Sequence, residues 1–394
     1  MRAEPVRTQF ARPPTDDPGE PRLVESIRDE ISRAGPITFA RFMQLALYEP
    51  GLGYYATSAD RPSRAGDFLT APELHPVFGH ALARQLDQMW LLMDRPATFV
   101  VREYGAGSGA LFVAILDGLT RIESGLAAAI RYQPIDLPEQ HERIAGRLAE
   151  AGRAELLDGP GTARLVGCVV ANEFLDALPV HRVIQQPEGL RELIVDWRDG
   201  RFVEVTGEPT NPRIEAWFSG RGIRLEVGRR AEVNLDMLDW LAGVGRDLVR
   251  GYVLVIDYGA PATELYGPER ATGSLRAFRG QHVSSDVLGG VGHQDLTAHV
   301  DLDALEQGAR DAGLEVLGRT RQAEFLLGSG LESAYADARA TADADWEPAL
   351  TLRAAVRRLL DPRALGGYEV VVLGHDVARQ PPLRGLASRR AARA

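Results

Sequence analysis

A doubly wound α/β fold follows from three features of this 394-residue sequence. Short apolar runs recur at residues 98–103, 130–135, 165–170 and 252–256, rich in the β-branched and aromatic side chains that fit a pleated surface. Three of these runs close on a carboxylate: Glu103, Asp136 and Asp257. Helical periodicity fills intervals between them, at residues 110–119 and 138–151. Strands that alternate with helices predict a mainly parallel sheet, with ligands at the carboxyl ends of its strands. Later runs at 314–317 and 368–373 complete a sheet of about seven strands.

The flanking segments differ in pattern. Residues 1–20 carry Pro5, Pro13, Pro14 and Pro18 among charges and are expected to form a disordered tail. Residues 21–97 read as an N-terminal helical cap, with one stripe at Leu23, Ile27 and Ile31 and another at Phe39, Phe42, Leu45 and Ala46. Pro50, Gly51 and Gly53 interrupt it with a turn that offers Tyr54 and Tyr55 as amphipathic surface. The main domain covers 98–375. Alternating segments at 180–185, 192–197 and 201–205, parted by Gly189 and by Asp199-Gly200, predict an antiparallel meander within an insertion at about 178–245. Residues 376–394, with Arg379, Arg384, Arg389, Arg390 and Arg393, read as a solvated basic tail.

Composition removes several chemistries. Apart from eight histidines, all 45 basic residues are arginine, so a Walker-type phosphate loop and Schiff-base catalysis both lack their ammonium group. The formal charge of −10 disfavours nucleic acid as the main ligand. No apolar run reaches bilayer-spanning length and the N-terminus lacks a signal-peptide core, so a cytoplasmic protein without membrane insertion is expected. A homodimer is compatible with this composition. The single cysteine, Cys168, lies in an apolar run and reads as a buried structural thiol.

The first strand leads into Glu103-Tyr104-Gly105-Ala106-Gly107-Ser108-Gly109. Gly105, Gly107 and Gly109 permit a tight turn and close backbone approach, and the following helix offers free N–H groups to an anion. Alone, the loop also satisfies the dinucleotide fingerprint, with Ala110 replacing the third glycine. Glu103 discriminates, because a carboxylate two residues before the glycines suits the amino group of a methionine moiety better than a pyrophosphate. Asp136 suits the two ribose hydroxyls of either nucleoside; the competing reading is a helix cap before Pro138. Asn172 and Glu173, ending the buried strand at 165–170, stand where a methyl donor would be faced. The set therefore points to S-adenosyl-L-methionine on a class I, Rossmann-like methyltransferase fold, with Glu103, Gly105, Gly107, Gly109, Asp136, Asn172 and Glu173 as cofactor residues.

Several longer motifs occur in order. They are residues 48–55 (YEPGLGYY), 66–73 (GDFLTAPE), the glycine loop, 172–180 (NEFLDALPV), 256–259 (IDYG), 273–278 (GSLRAF) and 292–301 (GHQDLTAHVD). Together they span roughly residues 37–327 and resemble the MidA-type family of S-adenosylmethionine-dependent protein arginine methyltransferases, which are mitochondrial complex I assembly factor-like. In that family the loop usually carries Pro and Arg where Ala106 and Ser108 stand, and a glutamate where Asp136 stands. Residues 74–76 (LHP) replace a segment that is normally small and polar.

The resemblance implies a protein arginine as acceptor. Glu173 and Asp176 lie three apart after the strand and are the first choice for clamping a guanidinium, with His293 as a further catalytic candidate. Asp176 reads equally well as a staple of the inserted meander. Tyr54, Tyr55, Asp257, Tyr258 and Asp295 are candidates for substrate binding. His282, His293 and His299 lie near Asp286, Asp295 and Asp301, but the spacing matches no familiar ligand pattern and no metal is expected. Rival readings are an assembly factor that binds the cofactor with little turnover, a methyltransferase for a small molecule, and a nicotinamide oxidoreductase.

Overall fold

The computed structural model describes residues 17–57, 70–159, 164–280, 282–342 and 346–387. The chain forms two compact units, each assembled from three separate stretches. Of the sequence motifs, residues 66–69 lie outside the described residues, as do 1–16 and 388–394 of the two expected tails.

The larger unit comprises residues 69–178, 234–265 and 299–394. Its sheet has six strands among the described residues: β1 (Phe99–Tyr104), β2 (Ile130–Ile135), β3 (Leu165–Asn172), β4 (Leu248–Asp257), β5 (Glu315–Arg321) and β6 (Glu369–His375), in the order β5-β6-β4-β3-β1-β2. The described residues thus supply six strands where about seven were expected. Strands β2, β1, β3 and β4 run parallel, and β6 inserts antiparallel between β4 and β5. This is the doubly wound, Rossmann-like α/β arrangement. Val370, Val371, Val372 and Leu373 of β6 are completely buried, as are Tyr252, Val253 and Ile256 of β4. Central strands covered on both faces are apolar throughout, which is why they read as continuous runs in the sequence. Cys168 is fully enclosed in β3, and burial pushes its thiol well above the ordinary value, as fits a structural role.

Helix α1 (Val77–Leu92) packs in this unit with α2 (Ala110–Arg121). The expected single cap at 21–97 is therefore divided between the units, because the stripe of α1 faces the sheet core whereas those of helices Pro21–Ala34 and Phe39–Tyr48 belong to a separate cluster. After Asp376, Leu383 is buried and residues Arg384–Leu386 form a 3-10 turn, so these residues depart from the solvated tail expected from 376.

The smaller unit holds residues 1–68, 179–233 and 266–298. The predicted meander is present as His181–Gln186, Gly189–Arg198 and Arg201–Gly207. Strands Arg230–Val233 and Ile37–Thr38 extend it to a five-stranded sheet. Phe39, Phe42 and Met43 pack against Val195 and Phe202 from it. Residues expected to be loose at the N-terminus are pinned here: Gly19 bridges to Val291, and the Glu20 carboxylate accepts from the Arg22 N–H at the start of Pro21–Ala34. Among the described residues no helix is long and apolar enough to cross a membrane.

Candidate functional site

The glycine loop leaves the carboxyl end of β1, and all three glycines adopt positive φ: 67° at Gly105, 57° at Gly107 and 73° at Gly109. Those values lie in the left-handed region that other residues avoid, so the loop path demands glycine. Gly109 heads α2 without any side-chain cap, and no acidic residue occupies the first turn. The N-terminal amides of α2 are thus available to an anionic group such as a cofactor carboxylate.

Asp136 closes β2 and holds this loop. Its Oδ2 accepts the Gly107 N–H at 2.6 Å, and its Oδ1 accepts the Leu137 N–H at 2.7 Å. The helix Pro138–Glu150 is preceded by Leu137 with no side-chain cap, so Asp136 is not its cap. Glu103 is buried, accepts the Tyr132 hydroxyl at 2.7 Å, and lies beside a Tyr132 ring stacked on Phe112 with centroids 3.9 Å apart. Burial and the charge of Asp136 push the Glu103 carboxyl up to about 8 against the pull of the tyrosine.

The turn after β3 abuts the loop, since a Cβ added at Gly105 would stand 3.3 Å from the Phe174 ring. In that turn Glu173 has φ 50°, an unusual conformation for a glutamate. Its Oε1 accepts the Ala71 N–H and the Asn172 amide, both at 3.2 Å. Three enclosed oxygens, Glu173 Oε2, Asp176 Oδ1 and Asn172 Oδ1, have no hydrogen-bond partner. Burial, reinforced by Asp176 and Glu73, raises the Glu173 carboxyl to about 8. Burial likewise raises Asp176 to about 6, opposed by the Tyr258 hydroxyl and nearby backbone amides.

Asp257 stands beneath the same turn. Its Oδ2 accepts three successive backbone N–H groups, from Phe174, Leu175 and Asp176, at 3.2, 2.9 and 3.3 Å. Its Oδ1 accepts the Tyr258 N–H at 2.8 Å. Asp257, expected as a substrate contact, has both oxygens hydrogen-bonded to the backbone. The Tyr258 ring packs against His299 and Tyr368, with centroids 5.1 and 5.4 Å away. Tyr368 was not singled out in the sequence, where it reads as the start of an ordinary strand. Burial and the charges of Glu173, Asp176 and Asp257 push its phenol far up, which sets it among these carboxylates.

The other candidates belong to the smaller unit. Tyr54 is buried, not the exposed surface that its turn suggested, because its ring lies edge-on to Tyr55 in the apolar cluster. Tyr55 stacks on Tyr48 and donates its hydroxyl to Asp295 Oδ1 at 2.9 Å. Asp295 is itself buried. His293 faces the carboxylates of Asp17 and Glu20, each 4.0 Å away. Its described neighbours are those of a residue that ties down the N-terminal segment. Among the described residues no group of three or more His, Cys, Asp or Glu side chains could hold a metal ion.

Comparison with known proteins agrees with this arrangement. The mitochondrial protein arginine methyltransferase NDUFAF7 of Danio rerio is 27% identical over 344 residues, covering 79% of this chain and 77% of its own length. The Homo sapiens protein of that name is 28% identical over 350 residues, covering 81% and 75%. A crystal structure of a protein from Burkholderia thailandensis bound to S-adenosyl-homocysteine shares 32% identity and superposes with a TM-score of 0.83, covering 94% of this chain and 96% of that one. Residues 81–320 match the family described as "Putative S-adenosyl-L-methionine-dependent methyltransferase". The chain belongs to this family and is an S-adenosyl-L-methionine-dependent methyltransferase.

Proposed function

We propose that the acceptor is the guanidinium of a protein arginine. The observation that carries this reading is the group of Glu173, Asp176 and Asp257, in which Asp176 and Asp257 are buried and Glu173 Oε2 and Asp176 Oδ1 stand enclosed and unpartnered. Carboxylates in such surroundings accept a cation with several N–H donors far better than a neutral hydroxyl or a carbanion, and the planar fork of arginine matches two carboxylate oxygens. The relatives named protein arginine methyltransferase support the same class of acceptor.

S-adenosylmethionine supplies an electrophilic methyl group when bound. The glycine loop, the α2 N-terminus and Asp136 would hold it, and Glu103 and Asn172 would complete its surroundings. Glu173 and Asp176 would orient the guanidinium so that one nitrogen faces the methyl carbon, which is positioning catalysis. When that nitrogen gains carbon it loses a proton, and Glu173, ionised by the arriving cation, is placed to receive it.

The test is to incubate the protein with methyl-labelled donor and a protein lysate, then locate the label by mass spectrometry. Label on an arginine nitrogen is expected. Label confined to a small metabolite, or on oxygen or carbon, would remove the arginine assignment.

A further inference from the structure

We propose that Asp257 is a positioning residue for methyl transfer, acting through the turn that carries Glu173 and Asp176. This inference rests on the reading of those two side chains as the acceptor-facing pair.

A single oxygen that collects the N–H groups of residues 174, 175 and 176 makes an acceptor-centred turn, with three amides converging on one focus. The fourth amide, from Tyr258, occupies the other oxygen. Both Asp257 oxygens are thus engaged by backbone amides, and the carboxyl fixes where its neighbours point. The conformation it stabilises is unusual: Glu173 is held at φ 50°, and the Glu173 N–H is anchored to Ile256 O at 2.8 Å. A second tether comes from Asn234, whose side-chain amide donates to Leu175 O at 3.1 Å while its Oδ1 caps the following helix at Met237. Two side chains from either end of one helix-strand segment thus clamp the turn between them.

Asp257 is one of several carboxyls crowded around this turn. Glu173 is surrounded by Asn172, the Ala71 amide, Asp176, Glu73, Asp257 and Tyr368. Burial and the charges of Asp176 and Glu173 push the Asp257 carboxyl well above the ordinary carboxylate range, so its hold on the turn rests on its hydrogen bonds and not on a fixed charge.

The experiment compares Asp257→Asn with the parent enzyme, using methyl-labelled S-adenosylmethionine and protein lysate as acceptor, with S-adenosyl-homocysteine binding measured by calorimetry. The expected result is a rate at saturating donor lowered by about tenfold or more, with product-analogue affinity changed less than about twofold. Because the turn places the acceptor and not the donor, a parental rate, or a lowered rate accompanied by an equal loss of analogue affinity, overturns the proposal. If Asp257→Asn does not fold, Asn234→Asp decides, since it removes the donor to Leu175 but keeps the helix cap. A lowered rate with intact analogue binding then supports the proposal, and a parental rate overturns it. The identity of the methylated atom is read separately in the same samples, so a failure of the arginine assignment is distinct from a failure of this one.

Discussion

The Gly107 N–H and the Asp136 carboxylate meet at 2.6 Å, so the loop after β1 is fastened to the end of β2 by a charge-assisted bond. Replacing Asp136 with alanine removes that fastening and the anion at the strand end. Binding of S-adenosyl-homocysteine should weaken by about 1.5–3 kcal/mol, measured by calorimetry. Parental affinity with a lowered melting temperature would instead restrict Asp136 to holding the loop.

Gly107 has φ 57°, where a β-branched side chain costs at least about 1–2 kcal/mol. Gly107→Val should abolish detectable binding of the analogue while the far-ultraviolet circular dichroism spectrum stays that of the parent. Unchanged affinity would show that the loop does not cradle the cofactor.

Glu173→Gln keeps shape but removes the anion. Label incorporation should fall by roughly two or more orders of magnitude with analogue binding nearly intact, because the lost interaction acts in the transition state. A modest loss, accompanied by equal weakening of analogue binding, would place Glu173 in the cofactor's surroundings alone.

Glu103 links stability to pH. Its carboxyl is raised from 4.5 to about 8 in the folded protein, so between those values the folded state holds a proton that the unfolded chain has lost. Stability contributed by this site is full below about pH 4.5 and is lost as pH rises towards 8. Glu103→Gln, which cannot ionise, should show a flatter dependence and should gain melting temperature relative to the parent at pH 8 but not at pH 5. Parallel curves across that window would mean that the Glu103 carboxyl is not raised.

Tyr55→Phe deletes the 2.9 Å bond to the buried Asp295 carboxylate. Thermal or denaturant unfolding should register about 1–3 kcal/mol of lost stability. An unaltered unfolding curve would return Tyr55 to the role of a surface contact.

Strand ends and the glycine loop could be read from the sequence because a buried parallel strand is a short apolar run, and the polar residue that ends it stands at the ligand edge. Glu103, Asp136 and Asn172-Glu173 all announce themselves this way. Asp257 fits the same pattern, yet its task was hidden, since nothing in its own segment reveals that residues 174–176 turn their amides towards it. Tyr368 was hidden for a related reason. Its significance comes from β6 lying beside β4, a pairing across more than a hundred residues. The smaller unit was read only as far as its hairpins, because local turn chemistry specifies Gly189 and Asp199-Gly200 but not the pairing of Ile37 with Val195.

The place of β6 also governs the timing of folding. Among the described residues it is the last strand of this sheet in chain order, yet it fills an interior slot between β4 and β5. While the ribosome is still adding residues 369–375, the edge of β4 exposes unpaired N–H and C=O groups of a largely apolar strand, a template for misassociation. A chain that stops short of residue 369 would leave that edge open permanently, so residues 369–375 act as the closing bolt of a sheet whose chemistry lies far upstream.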